Sequence, residues 1–441
     1  MNTCMLPGKN TFATFLVLLF FYQSIAQVVE PGKALPAWQE GFLDLHHINT
    51  GRGNAAYYIF PDGTTMLFDA GEMNPADDRV LTPRNSVIRP DNSKHPYEWI
   101  AHYIQQAAPK SHKAVLDYAA ISHFHDDHFG SMYPNTPVAA SARYALTGIT
   151  GVGDIIPIKT LLDRGYPDYC IPVDLKKLLA SYKSEGTFYE KSFYNYLDFI
   201  KAQQANGLKA ARFKAGSKEQ IKMLYQPQKF PGFYVQNVKV NGDIWTGKDS
   251  STLQHFPPVD TANRKTWPDE NSLSLVFTIN YGPFVYYTGG DCGGNIFYGD
   301  APWRDVETPV AKAIGEVDVA TLDHHGNRDA VNEFQVKTFK PKVWIEQVWS
   351  ADHPGHEVLI RLTTKHLYSE ERDLFATNML DANKYVIGPL IDRSYKSTQG
   401  HIVVRVLPGG KEYYIIILDD SRKDMPVKQV FGPYLSKKGT Q

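Results

Sequence analysis

The feature that most constrains this chain is the run Ser122-His123-Phe124-His125-Asp126-Asp127-His128-Phe129-Gly130, which directly follows the apolar stretch 114–121. A short apolar run of that kind suits a buried strand. The strand therefore delivers a dense group of imidazoles and carboxylates at its C-terminal end. Imidazole is the commonest metal ligand and binds when neutral. A carboxylate beside it suits a hard or borderline cation such as Zn²⁺. On a loop leaving a strand, His123 and His125 can point to one side, while Asp127 and His128 curl round to a second position. One short loop then offers ligands for two adjacent metals. The alternative is a polar surface loop that happens to be histidine-rich, and three His and two Asp within six residues argue against it.

Two further features share this placement. Asp291 follows Thr288-Gly289-Gly290 at the end of a strand, where glycine lets backbone approach a ligand closely. His324 and His325 precede Gly326 at the end of the strand 317–322. Three chemically loaded strand ends can converge on one edge of a layered sheet. The remaining pattern agrees. Strands at 42–48, 55–60 and 65–68, with a turn at Pro61-Asp62-Gly63, form a β-meander ending at Asp69-Ala70-Gly71. A helix is expected at 97–106 and another at 331–338, with a strand at 342–347. Hairpins are expected at 272–279 with 284–287, and at 401–406 with 413–418. The stretch 139–240 is polar and aromatic, with helices at 175–182, 189–203 and 218–224 and a strand at 233–240. It reads as an inserted helical cap or a small separate domain. Strands in two groups with helices between them predict a layered α/β sandwich.

The ordered set of motifs resembles the metallo-β-lactamase superfamily, and within it the ComEC-like group of hydrolase domains. The opening glycine loop is similar to Ile48-Asn49-Thr50-Gly51-Arg52-Gly53-Asn54-Ala55, and the early Asp-Gly motif to Leu67-Phe68-Asp69-Ala70-Gly71. The His-x-His-x-Asp-His element follows. Then come Asn271-Ser272-Leu273-Ser274-Leu275, Asp291, Asp318 with His324-His325-Gly326, and His353-Pro354. Asn54 stands where that group carries Asp, and 139–240 has no counterpart in it.

The resemblance implies a four-layer αββα sandwich over 42–420 with a helical insertion, a tail at 421–441, and a site for two divalent metal ions. Zn²⁺ is the default, with Mn²⁺ or Fe²⁺ as alternatives. His123 and His125 would bind the first ion, Asp127 and His128 the second, and Asp291 both. His324 is favoured to complete the second position, with His325 the alternative. Asp69 would orient the loop by hydrogen bonds, as metal ligands generally require. His255 is the candidate third ligand of the first ion, against a loop histidine, and His353 either faces the cleft or starts a helix. The other histidines read as structural or surface residues. Two adjacent cations sharing a water lower its pKa toward ~7. The implied activity is therefore hydrolysis, with Asp127 available to relay a proton. A phosphoester is the expected substrate, and an amide or lactone the alternative. A metal-free binding protein is the competing class. Aromatic residues of the insertion (Tyr182, Phe188, Tyr189, Phe193, Tyr194, Tyr196, Phe199) either line a substrate pocket or pack helices.

Lys9, the apolar stretch 11–22 and Ser24-Ile25-Ala26 read as a signal peptide over 1–26, so export to the periplasm or medium is expected, with no membrane span after cleavage. The stretch is shorter than the ~20 residues that span a bilayer. The net charge of -1 shows no basic excess, so a small-molecule or ester substrate is expected rather than nucleic acid. Cys170 and Cys292 remain after cleavage, too few for a disulfide framework.

Overall fold

Alternation along β1 (Leu43–His47) sends Leu43 and Leu45 to one face and Asp44 and His46 to the other, yet both faces are buried. A strand of that kind needs a covering layer on each side. The computed structural model, which describes residues 1, 29–75, 77–110, 114–180, 186–260, 263–294 and 301–437, supplies both layers. The expected signal peptide lies outside the described residues apart from Met1.

The first sheet starts with the expected meander of β1, β2 (Ala55–Ile59) and β3 (Thr65–Ala70). Next come β4 (Leu116–Ala120), β5 (Ile158–Asp163) and β6 (Lys209–Arg212), each parallel to the strand before it. The second sheet holds β7 (Phe233–Val240), β8 (Asp243–Trp245), β9 (Thr252–Gln254), β10 (Val276–Tyr281) and β11 (Phe284–Gly289). It continues with β12 (Val319–Thr321), β13 (Val343–Glu346), β14 (Asp373–Ala376) and β15 (Tyr395–Ser397), running parallel from β11 onward. The chain then returns to the first sheet through β16 (His401–Val406), β17 (Glu412–Leu418) and β18 (Val427–Leu435).

Among the described residues the helices divide with the sheets. Those of the first half are α1 (Asp78–Leu81), α2 (Pro96–Ala107), α3 (Asp126–Phe129), α4 (Gly148–Ile155), α5 (Leu175–Ala180) and α6 (Gly186–Gln204). Those of the second half are α7 (Glu307–Ile314), α8 (Glu333–Phe339), α9 (His356–Thr363), α10 (Asp381–Ile387) and α11 (Pro389–Ser394). Three apolar cores follow. Leu45, Tyr58 and Phe68 meet Phe277, Ile279 and Val343 between the sheets. Tyr57 and Leu67 pack outward against Ile104 of α2, Val152 of α4 and Phe199 of α6. Tyr287 and Trp344 pack outward against Val310 of α7, Phe339 of α8 and Leu359 of α9. Helix, sheet, sheet, helix is the four-layer arrangement. Phe277 sits edge-on to Phe68 at 4.9 Å in the central core, where truncation of a Phe costs ~3–5 kcal/mol.

Several expectations need correction. The stretch 139–240 is neither a helical cap nor a separate domain: β5 and β6 extend the first sheet and α4–α6 cover its outer face, while the expected strand at 233–240 is β7 of the second sheet. Residues 218–224 are irregular, with bends and no helix. There Gln220 Oε1 accepts from the Lys214 N–H, and Gln220 Nε2 donates to the Arg212 carbonyl. Side-chain bonds of this kind give backbone groups partners outside a helix. Asn271–Leu273 is a 3-10 turn before β10, not the strand's start. The supposed tail carries β18, which pairs antiparallel with β17 and forms the sheet's edge.

Candidate metal centre

The site lies where strands of both sheets end. β4 runs into Ser122–Phe129, β11 into Gly290 and Asp291, and β12 into Asp323–Gly326. Two glycines make the seating of the histidine loop possible. A Cβ on Gly53 (φ +133) would lie 2.4 Å from the Asp127 carbonyl oxygen, and one on Gly71 2.0 Å from it. The closeness lets the Asn54 N–H donate to that oxygen at 2.7 Å and the Glu72 N–H donate to Asp126 at 3.0 Å. From the core side, Phe124 is held edge-on by Phe193 at 5.2 Å and by Tyr169 at 5.9 Å. Most of the insertion's aromatics thus serve packing. Phe193, Tyr196 and Phe199 are buried and Tyr194 is exposed, whereas Tyr189 faces the cleft. Tyr182 and the side chain of Phe188 lie outside the described residues.

The ligand atoms form two groups that share one carboxylate: His123, His125 and Asp291, and Asp127, His128, Asp291 and His325. Asp291 Oδ1 lies 3.1 Å from His128 Nε2 and 3.6 Å from His325 Nε2. Its Oδ2 lies 3.7 Å from His123 Nε2. Asp127 Oδ2 is 3.0 Å from His325 Nε2 and 3.5 Å from His128 Nε2. His123 Nε2 faces His125 Nδ1 at 3.1 Å. Burial, with His128 beside it, holds His123 well below the ordinary imidazole value, so it is the neutral, ligating form. Burial opposes the charge of Asp291, but the imidazoles of His128, His325 and His324 hold its carboxyl well below the usual carboxylate range.

These residues fit divalent cations. His128 Nε2 and Asp291 Oδ1 are buried without a hydrogen-bond partner, a costly state unless another group satisfies them. The outer nitrogens are directed. His128 Nδ1 donates to Asp69 Oδ2 at 2.8 Å, and His325 Nδ1 to the Gln347 carbonyl at 3.0 Å. Each bond leaves Nε2 as the lone-pair atom facing the centre. Ser122 ties the arrangement down, donating its N–H and its hydroxyl to Asp69 at 2.7 and 2.8 Å. The Ser274 hydroxyl accepts from the Asp291 N–H at 3.0 Å.

The second group contains His325, not the favoured His324. Both residues adopt left-handed backbone, φ 45° and 53°. His324 keeps a place at the cleft, its Nδ1 2.8 Å from Asp329 and its Nε2 3.7 Å from Asp291. His255 joins neither group and lies beside Phe256 past the edge strand β9. His353 is buried behind the site, stacked on His325 at 4.7 Å, and does not line the cleft. Asp318 ties backbone together through the N–H groups of Val285 and Lys437. Trp349, which sequence reasoning missed, places its indole Nε1 3.2 Å from His325 Nε2 and lines the cleft. Cys170 and Cys292 are both free, the first exposed and the second buried.

Two face-to-face mixed sheets deliver their loops to one shared carboxylate. The fold is a metallo-β-lactamase-like sandwich. No protein-family model matches the sequence, and no curated protein matches it. Among solved structures it is similar to the metallo-beta-lactamase fold protein YhfI from Bacillus subtilis, with 10% identity and a TM-score of 0.31, over 82% of this chain and 98% of that one. The buried His/Asp cluster could hold metal ions. The cleft over the cluster encloses about 480 Å³.

Proposed function

We propose that this chain is an exported hydrolase that uses two divalent metal ions, Zn²⁺ by preference, to cleave a phosphoester. The observation that carries the reading is the position of Asp291, whose two oxygens face different groups of buried imidazoles. When bound, such ions act as Lewis acids and supply a nucleophilic water at neutral pH. His123 and His125 would hold one ion, Asp127, His128 and His325 the other, and Asp291 both. Asp69 holds the His128 tautomer that presents Nε2. Asp127 lies at the cleft and is the carboxylate best placed to pass on a proton. His324, Asn271 and Trp349 line the same cleft and would orient the substrate. The preference for a phosphoester rests on the ordered motif set, and an amide or lactone is the second reading. Export rests on the leader-like 1–26. No described helix is long and apolar enough to cross a membrane.

Metal analysis of the purified protein, followed by a panel of phosphomonoesters, phosphodiesters, lactams and lactones, tests the reading. His125→Ala serves as control. Turnover of phosphoesters that is lost in the control supports it. Turnover confined to lactams or lactones overturns the substrate class, and metal-free protein overturns the enzyme.

A further inference from the structure

A second cavity of about 690 Å³ opens beside the cleft and shares His125, Tyr189 and Asn271 with it. The two lobes differ in chemistry. The first is lined by polar groups such as Asn74, Asp77, Asn85, Ser131 and Ser192. The second is walled by Pro172, Val173, Leu175, Leu178, Trp267 and Pro268, drawn from the insertion and from the loop before Asn271. Most of its charged side chains engage one another, and the Arg264 guanidinium lies over the Trp267 ring at 5.6 Å. Arg164, almost fully buried, makes two bonds to Glu270 at 2.7 and 2.6 Å. Arg304 bonds Asp269 at 3.2 Å and the carbonyls of Lys265 and Trp267. Asp329 engages His324. These contacts engage most of the lobe's charges and leave a broad apolar surface for a ligand to meet. The lobe is also tied to the metal loop, because Glu270 Oε1 accepts from the Phe124 N–H at 2.9 Å. A group seated there is therefore held in register with His125.

We infer that the second lobe is a specificity pocket for a bulky apolar or aromatic group attached next to the scissile bond, with Trp267 and Leu178 as its selecting residues. The inference rests on the metal-centre reading. It implies a substrate with one small polar side and one large apolar side, and it disfavours polyanionic chains, which the paired charges do not reward.

The test is calorimetric binding of two hydroxamates to the zinc-loaded chain: acetohydroxamate and 2-naphthohydroxamate. A hydroxamate chelates metal whatever bond the enzyme cleaves, so the result does not depend on the phosphoester assignment. The naphthyl compound is expected to bind ~10- to 100-fold tighter, the effect of burying one aromatic group. Trp267→Ala and Leu178→Asp should each reduce that ratio several-fold. Equal affinities in the wild-type chain, or a ratio that survives both substitutions, would overturn the pocket while leaving the metal centre intact. Binding of neither compound would overturn the metal centre and the pocket with it.

Discussion

Oδ2 of Asp69 lies 2.8 Å from Nδ1 of His128, and both side chains are buried. Asp69 also accepts from the N–H and hydroxyl of Ser122, so one carboxylate orients the strand end and the imidazole it presents. Removing an outer-shell partner of this kind typically weakens metal affinity ~10- to 100-fold. Asp69→Ala should do so in a chelator-competition titration. Asp69→Asn, which keeps an acceptor, should lose less.

His325 and His324 separate the two readings of the Asp323–Gly326 turn. His325→Ala should lower metal content by about one equivalent, because four-coordinate sites lose affinity steeply when a ligand goes. His324→Ala should keep its metal and lose turnover. Elemental analysis of both variants decides the matter.

The legibility of this pair shows where sequence reasoning stops. His123, His125, Asp127, His128 and Asp291 were readable because each follows an apolar strand and strand ends share an edge. The choice between His324 and His325 was not, because two consecutive left-handed residues break the strand pattern from which side-chain direction is read. Those conformations cost ~1–2 kcal/mol per residue and persist only under tertiary restraint. Here the Asp323 carboxylate accepts from Tyr287 and Gln335, contacts with no sequence signature. The insertion misled for a related reason. Its α6 helix was legible by length, but Lys209–Arg212 is a four-residue edge strand with no fully buried position, so its pattern carries little hydrophobic signal.

Lys239 is fully buried and donates to the carbonyls of Ser272 and Ser274, the turn that supports Asp291. Burial lowers its pKa, so the amine is held at a desolvation cost. Lys239→Met leaves two buried carbonyls short of a donor and should lower stability by about 1–3 kcal/mol in denaturant unfolding. An unchanged midpoint would mean that desolvating the amine costs as much as its bonds contribute.

Glu346, which is not one of the ligand residues, provides a pH test. Burial, opposed by the Tyr395 hydroxyl that donates to Oε2, raises its pKa from 4.5 to about 8. The folded state therefore holds this proton more tightly than the unfolded chain. Its contribution is complete below about pH 4.5 and is lost as pH rises through about 8, with a slope of up to about 1.4 kcal/mol per pH unit. Glu346→Gln should flatten that part of a stability–pH profile. A profile identical to wild type would assign the slope to other groups.

The shared carboxylate of Asp291 is the centre of the account, and metal stoichiometry tests it most directly. Protein purified without chelators should hold about two divalent ions per chain, and Asp291→Ala should lose both together. Wild-type protein with less than about half an equivalent, or a variant that gives up one ion and keeps the other at full affinity, would contradict it.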